Sequence, residues 1–513
     1  MIEHSLSVLE LEDIAIVEEV PQSKRQSLCP IAELCVCSPI LTNVLQYLTH
    51  VWYNIGKPFF MQARPYEIRD PIHGLIELLP KEVDIINTGV FQRLRRIRQL
   101  AMAFLVYPGT LHTRFEHSIG VMHIAGRICD RLKQLRKITA VEYERIRLAA
   151  LLHDIGHGPF SHVSEHLLDK YAPKDGDSTV EKIHEKVTVD IINKDSEIGH
   201  VLTVEERQFV VEMIEGKQTR DFRRDIVSSD LDADKMDYLL RDSYFAGVKY
   251  GMYDLEKIIE SFRVHRKGLA ISDEGLHALE QLLLAKHHMT EQVYRHRVRS
   301  ISDAMIIRGI ELAIDKGNQE LKRLYQYDGT PKFVENYMEY HDERLIDILR
   351  RCDQEKARNI FERLYQRKLF KMIGELSLKE VDDPTDRLRL LQMDDEQNEQ
   401  KRKWEEQIAE DLEIDPDYVI VNKVHIRNPN YGSRSYSLNP EAIMIFDDKQ
   451  RKLKNLSRYA PELFLARSPV NEADLETVQI YAPRDDWNAL STAQKQQEQK
   501  QLYVKVQRIL LAP

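Results

Sequence analysis

The chain has 513 residues, of which 42% are apolar and 30% charged, with a formal net charge of −10. That length supports a large core, read here as two lobes. The acidic balance argues against a general affinity for nucleic-acid backbones, so any anion must be drawn in by a local basic pocket or by cations. The five cysteines (Cys29, Cys35, Cys37, Cys129 and Cys352) do not form a disulfide framework and fit a reducing cytoplasm. Cys29, Cys35 and Cys37 lack an evident fourth ligand and are read as free thiols. The first residues carry Glu and His without a basic n-region, so no cleavable signal peptide is expected.

Residues 1–60 read as an N-terminal extension. Within it, 34–56 is apolar but broken by Ser, Thr, Asn, Gln and His, which predicts a buried or interface helix and not a membrane span. "YEIRDPIHGLIEL" from Tyr66 predicts a short hairpin. In "TGVFQRLRRIRQLAMAF", Phe91, Leu94, Ile97 and Leu100 recur at helical spacing, with Arg93, Arg95, Arg96 and Arg98 on the other faces. Further helices are expected at 117–135, 141–154, 184–194, 204–215, 232–246, 254–263 and 275–315. Residues 340–412 read as helical and highly charged. Strand-like alternation appears at 417–427 and 441–448, joined by the turn-rich "NPNYGSRSYSLNP". "QKQQEQKQ" near the end is a solvated helix or a frayed tail.

The chemistry concentrates in "RFEHSIGV" (114–121) and "LLHDIGHGPFSH" (151–162). The apolar run "RLAALLHDIGHGPFSH" (147–162) opens as a helix that is apolar nearly all round, which predicts burial and delivers His153 and Asp154 into the interior. Buried neighbours of this kind are costly unless paired or metal-bound. Because adjacent side chains diverge, they suit neighbouring coordination directions on one metal, or two metals bridged by the carboxylate. His117 is a candidate further ligand. So is Asp234 in the acid-rich "SSDLDADKMDYLLRD", where some carboxylates serve as helix caps. A His/His-Asp/Asp set accepts Mn, Fe, Zn, Mg, Co or Ni, leaves open positions, and suits phosphate-ester hydrolysis.

These stretches, with "DPIHG", "FQRLRRIRQL", "YPGTLHTRFEHSIGV", "HE" at 184–185, "DADKMDYLLRD" and "VYRHRV", resemble the HD-domain phosphohydrolases. The resemblance is closest to the deoxynucleoside triphosphate triphosphohydrolases of the SAM-and-HD-domain type and their bacterial relatives, without the SAM domain. It runs from about residue 67 to 310 and more weakly to about 450. It implies a mainly α fold, with an HD-domain helical core over 61–325 and a smaller α+β C-terminal lobe over 326–513 for oligomerisation or regulation. The implied activity is metal-dependent hydrolysis of a dNTP to deoxynucleoside and inorganic triphosphate, by attack of metal-bound hydroxide on the α-phosphorus.

Residue by residue, His117, His153, Asp154 and Asp234 match the metal ligands. His162 matches the histidine that protonates the leaving 5′ oxygen, and His157, His184 and Glu185 match groups near the α-phosphate. Gln99 and Leu100 match residues against the sugar that reject a 2′-hydroxyl. Arg114 and Lys235 match phosphate contacts. Tyr238 and Asp242 match sugar contacts, Asp242 taking the 3′-hydroxyl, and Tyr294 matches a residue near the sugar and base. Lys286 stands where the family has an arginine that grips the triphosphate, and an ammonium cannot bind bidentately. An allosteric nucleotide site would map to Asn87, Gln92 and Arg95. The amide of Asn87 lacks the paired acceptors that a carboxylate offers guanine, and acidic "SDEG" (272–275) replaces expected basic residues, so guanine-nucleotide activation is not expected.

Implied partners are a nucleotide substrate, a nucleotide activator and further copies of the chain as a dimer or tetramer, in the cytoplasm and without a membrane. Two alternatives stand beside this reading. One is an HD phosphohydrolase acting on a monophosphate, a modified or a signalling nucleotide. The other is a nucleic-acid-binding regulator with a vestigial site, which the net charge of −10 and the full ligand set disfavour.

Overall fold

The computed structural model describes residues 66–173, 183–215, 221–266, 268–393, 399–425, 442–460, 476–485 and 489–512. All of them fall in one unit, Tyr66–Pro513. The N-terminal extension with its three cysteines, and the "NPNYGSRSYSLNP" connection, lie outside the described residues.

The expected hairpin forms from β1 (Tyr66–Asp70) and β2 (Gly74–Leu78), paired antiparallel with Asp70 opposite Gly74. The helix expected across 88–104 is instead three short pieces, at Gly89–Gln92, Arg93–Arg96 and Ala103–Leu105. A tertiary contact overrides the periodicity: Arg98 bridges to Thr113 as in a strand pair, and Gln99 N–H donates to the His112 carbonyl at 3.1 Å. The apolar positions Phe91, Leu94, Ile97 and Leu100 are still buried. The arginines do not form a uniformly solvated face, because Arg93 is buried.

Helix α1 (Arg114–Gln134) starts on a capping box in which the Thr113 side chain and Glu116 exchange hydrogen bonds with each other's backbone. Helix α2 (Ala140–Leu152) starts likewise on Thr139 and Glu142, and every residue from Ile146 to Leu152 is buried. Helices α3 (His162–Tyr171) and α4 (Ile183–Lys194) follow. Helix α5 (Ala233–Ala246) is capped by Asp232 and ends at Gly247, whose φ of 71° suits glycine. Helix α1 packs on both α2 and α5. Gly120 permits the second contact, since a Cβ there would meet Asp237 Oδ1 at 1.9 Å.

Strands β3 (Phe262–His265) and β4 (Gly268–Ser272) join β7 (Met444–Asp447) and β8 (Lys452–Asn455) in a four-stranded sheet, with β4 and β7 parallel. The region expected as helical over 275–315 comprises α6 (Leu276–Met289), a π turn at Thr290–Tyr294, and α7 (Arg297–Asp315). Helix α8 (Asp342–Arg351) leads towards the C-terminal elements. There β5 (Lys371–Ser377), a strand that charge patterning hides within 340–412, pairs with β9 (Glu476–Ala482), which pairs in turn with β6 (Ile420–His425). Helices α9 (Gln400–Leu412) and α10 (Thr492–Leu510) cover this sheet. Trp404, Ile408, Val421, Ile480 and Val506 form a second apolar core distinct from the main one. The fold is therefore mainly α, with a helical core and a smaller α+β region. Among the described residues, no helix is long and apolar enough to cross a membrane.

Candidate metal centre and its surroundings

Four expected ligands converge although they come from three helices. His117 sits one turn into α1, His153 and Asp154 follow the last turn of α2, and Asp234 lies in the first turn of α5. His117 Nε2 is 3.0 Å from Asp234 Oδ1 and 3.6 Å from Asp154 Oδ2. His153 Nε2 is 3.3 Å from Asp154 Oδ1 and 3.7 Å from Asp234 Oδ1.

The outward nitrogen of each imidazole is determined by its partner. His117 Nδ1 lies 2.8 Å from Asp237 Oδ2, and His153 Nδ1 lies 2.7 Å from the Ala150 carbonyl. Ionised carboxylates and carbonyls only accept, so both Nδ1 atoms carry a proton and Nε2 is in each case the nitrogen that can offer a lone pair to a cation. Those two Nε2 atoms are buried and, among the described residues, have no hydrogen-bond partner of proper geometry. Buried orphaned imidazole nitrogens beside two carboxylates fit a divalent cation. His117, His153 and Asp154 also satisfy the mutual spacing of a metal set.

The metal-free electrostatics point the same way. Burial alone would lower His117, yet the carboxylates of Asp234 and Asp237 push it up to about 10. Burial would raise Asp154 and Asp234. Arg114, His153 and His157 hold Asp154 well below the carboxylate range, and His117 and His153 do the same for Asp234. The cluster is negative enough to retain a proton where a cation would replace it. Asp234 is the member that solvent reaches, its side chain being 31% exposed.

Beside this group lies a second one. Glu165 Oε1 is 3.1 Å from His162 Nδ1, 3.2 Å from His157 Nδ1 and 3.4 Å from His184 Nδ1. The His157 and His184 rings stack, with centroids 4.4 Å apart. Burial would raise Glu165, but His184 and His162 hold it well below its usual range. Burial and the neighbouring Arg114 lower His157 to about 3, so it is neutral. His157 Nε2 stands 3.2 Å from Asp154 Oδ1 and links the two groups. His157, Glu165 and His184 are also close enough to one another to hold a cation. Glu185 is half-buried, next to His184 on α4.

The remaining expected residues fall into three sets. Arg114 is buried, pairs with Asp154, and donates from Nε to Ser161 Oγ at 3.0 Å. Lys235 Nζ donates to the Ser229 carbonyl at 2.8 Å and to Asp232 Oδ2 at 2.7 Å. The Lys286 ammonium is buried and has no hydrogen-bond partner among the described residues. On the sugar side of the expected pocket, Asp242 accepts from Tyr294 at 2.7 Å and contacts His112 Nε2 at 2.8 Å, while the Tyr238 and Tyr294 rings meet edge to face. Gln99 and Leu100 are buried, and the Gln99 side-chain oxygen has no hydrogen-bond partner among the described residues. Asn87, Gln92 and Arg95 form a group of their own. Asn87 ends the helix Pro80–Ile86, Gln92 donates to the Ile86 carbonyl at 2.7 Å, and Arg95 donates to Gln92 at 2.8 Å while lying over the Phe115 ring.

Several contributors escape a reading of motifs. Asp237 holds His117 and is itself held by Arg241 and by His73, whose Nε2 is 2.6 Å away; Arg241 continues to Asp70 at 2.8 Å. The signal was "DPIHG", which supplies Asp70 and His73, and the i,i+4 spacing of Asp237 and Arg241. Glu165 is marked only by standing three residues after His162.

Models of known families match two adjoining parts of the chain: an HD domain over residues 114–242 and an HD associated region over 253–496. An uncharacterized protein of Methanocaldococcus jannaschii is 34% identical over 404 residues, covering 77% of this chain and 79% of its own length. A deoxynucleoside triphosphate triphosphohydrolase SAMHD1 homolog of Dictyostelium discoideum is 31% identical over 333 residues, covering 63% of this chain and 62% of its own, so under two thirds of that relative is spanned. Among solved structures, a hypothetical protein from Aquifex aeolicus superposes with a TM-score of 0.61 at 28% identity, over 83% of this chain and 98% of the other.

Proposed function

Because the chain belongs to the HD-domain family of phosphohydrolases, we propose that it is a metal-dependent hydrolase of deoxynucleoside triphosphates, releasing the deoxynucleoside and inorganic triphosphate. The observation that carries this reading is the convergence of two orphaned imidazole nitrogens and two carboxylates beside a separate imidazole–carboxylate group. The first is suited to a cation and the second to moving a proton. The triphosphohydrolase relative supports the choice of substrate.

His117, His153, Asp154 and Asp234 would hold the cation, which when bound neutralises phosphate charge and acidifies water for hydrolysis. Arg114, fixed by Asp154 and Ser161, meets the phosphate with Lys235 and Lys286. Glu165 accepts the Nδ1 proton of His162, and in the imidazolium form of His162 the second proton, on Nε2, is the one given to the departing 5′ oxygen. Neutral His157, with His184 and Glu185, lines the α-phosphate. Gln99, Leu100, Tyr238 and Tyr294 enclose the deoxyribose, and Asp242 accepts its 3′-hydroxyl through lone pairs left over from Tyr294 and His112. Assembly as a homo-oligomer belongs to this reading.

A second reading, an HD phosphohydrolase of another nucleotide, is favoured by Lys286, whose single ammonium replaces a bidentate grip on the triphosphate. One experiment separates them. The purified chain is incubated with each dNTP and NTP, with Mn or Mg, with and without GTP or dGTP, and the products are resolved. Triphosphate plus deoxynucleoside is the expected result. Pyrophosphate plus monophosphate, or no turnover of any dNTP, rejects the proposal.

A further inference from the structure

The turn joining α2 to α3 carries His153, Asp154 and His157 and delivers His162. It has little regular structure to hold its shape. Two successive non-glycine residues in it, Phe160 (φ 59°) and Ser161 (φ 51°), stand in the left-handed region that L side chains rarely adopt. Such a conformation persists only where the surroundings impose it.

Three groups from residues 337–342 impose it. The Tyr337 hydroxyl donates to the Gly156 carbonyl at 3.2 Å. It comes so close that a Cβ on Gly158 would lie 2.3 Å from it. Arg93 ties the Tyr340 carbonyl to the His157 carbonyl, with Nε at 2.8 Å from one and Nη1 at 2.9 Å from the other. Asp342, fully buried, accepts the Phe160 N–H on Oδ1 at 2.8 Å and the Arg98 N–H on Oδ2 at 3.0 Å. The Arg98 guanidinium stands 3.6 Å from the same carboxylate. Past the kink, Ser161 Oγ accepts from Arg114 at 3.0 Å and donates to the Arg98 carbonyl at 3.2 Å.

Asp342 opens helix α8, where an aspartate commonly serves the helix itself. Here that task belongs to His341, whose side chain accepts the Arg344 N–H. The Asp342 carboxylate turns away from its own helix to the Phe160 amide of the catalytic turn and to the Arg98 amide of the segment packed beside it. A buried carboxylate is costly unless such donors satisfy it, and the amides have no equally good neutral substitute.

We infer that Asp342 is a positioning residue of the active site: from outside the HD-matched segment, its carboxylate holds Phe160 and Ser161 in the shape that aims Arg114 and His162 at the substrate phosphate. The inference rests on the hydrolase reading above. It assigns to the HD-associated region a direct part in the geometry of catalysis.

The test is Asp342→Asn in the full chain, with Ser161→Ala alongside. Asparagine keeps the size but turns an amide N–H towards one of the two backbone donors. Expected is a fall in kcat of tenfold or more with KM within threefold, at unchanged bound metal per chain and with a single cooperative unfolding transition. Ser161→Ala, which removes the ties to Arg114 and to the Arg98 carbonyl but leaves the Asp342 carboxylate on its amides, lowers kcat in the same direction by less. Full kcat in Asp342→Asn, or a loss that tracks lost metal or lost folded protein, overturns the inference. If Asp342→Asn does not fold, an unchanged kcat in Ser161→Ala overturns it. If the wild-type chain hydrolyses no dNTP, the hydrolase reading fails by itself. Amide hydrogen exchange in Asp342→Asn then decides the clamp: faster exchange confined to residues 153–162 upholds it, and unchanged exchange there overturns it.

Discussion

His117 Nδ1 lies 2.8 Å from Asp237 Oδ2, and that one contact decides which face of the imidazole meets a metal. Asp237 accepts from His117 and Arg241 on one oxygen and contacts His73 and Arg241 with the other, so its four lone-pair sites are filled. Asp237→Asn cannot accept from all of these donors. Metal affinity, read by competition with a chelating dye, is expected to fall roughly 10–100-fold, as for other residues that orient a ligand. Melting temperature should also fall, because a fully buried Arg241 loses one of its two charge partners and keeps only Asp70. Unchanged affinity would remove Asp237 from the metal site.

Metal binding should stabilise the fold, since the ligands come from three helices that the cation joins. At a free metal concentration of a hundred times Kd, linkage gives about 2.7 kcal/mol of added stability. Asp154→Ala is expected to abolish that increment in denaturant melts and to reduce bound metal measured by elemental analysis. A stabilisation by metal that survives in Asp154→Ala would place the cation elsewhere.

His162→Ala is expected to keep its metal and to lose about 10²–10⁴ in kcat, the usual worth of a positioned acid. Glu165→Gln leaves the imidazole in place without the carboxylate that accepts its Nδ1 proton, and should lower kcat by a smaller factor. Should His162→Ala instead lose its metal, the assignment of His162 as the acid is wrong.

Lys286 provides a pH dependence. Burial first, then the neighbouring Lys235, lowers its pKa to about 7 against the pull of Asp232, Asp230 and Asp234. The ammonium is therefore present below pH 7 and lost as pH rises through it, so KM for a triphosphate should rise above neutrality. Lys286→Arg, which stays charged, should flatten that rise. For stability the sign is opposite. The unfolded chain keeps this lysine protonated to about pH 10.4, so between about pH 7 and 10 it binds more protons than the native state, and stability contributed at this position grows with pH. Denaturant melts of wild type and Lys286→Met across that window check the sign.

Much of the molecule was legible along the chain because its signals are local. The hairpin at Tyr66–Leu78, the capping boxes at Thr113 and Thr139, and the all-round apolar run ahead of His153 each lie within a few residues. The short pieces across 88–104 and strand β5 were not legible. A pairing partner at Thr113 reshaped the first, and β5 is defined by β9, about a hundred residues away. Of the site, the ligand types and spacing could be read, whereas Glu165, Asp237 and Asp342 could not, since each works through side chains or amides from other segments.

By itself the sequence determined a helical HD core, an adjacent His153–Asp154 pair at the end of a buried helix, of the donor types that suit a cation, and the residue types available around it. Only the tertiary structure decided which nitrogen of each imidazole faces inward, which carboxylate three histidines share, and what holds the strained Phe160–Ser161 turn. The reason is one of range. Hydrophobic period and helix caps act between near neighbours, whereas the contact of His73 with Asp237 spans 164 residues and that of Asp342 with Phe160 spans 182, distances that no local pattern records.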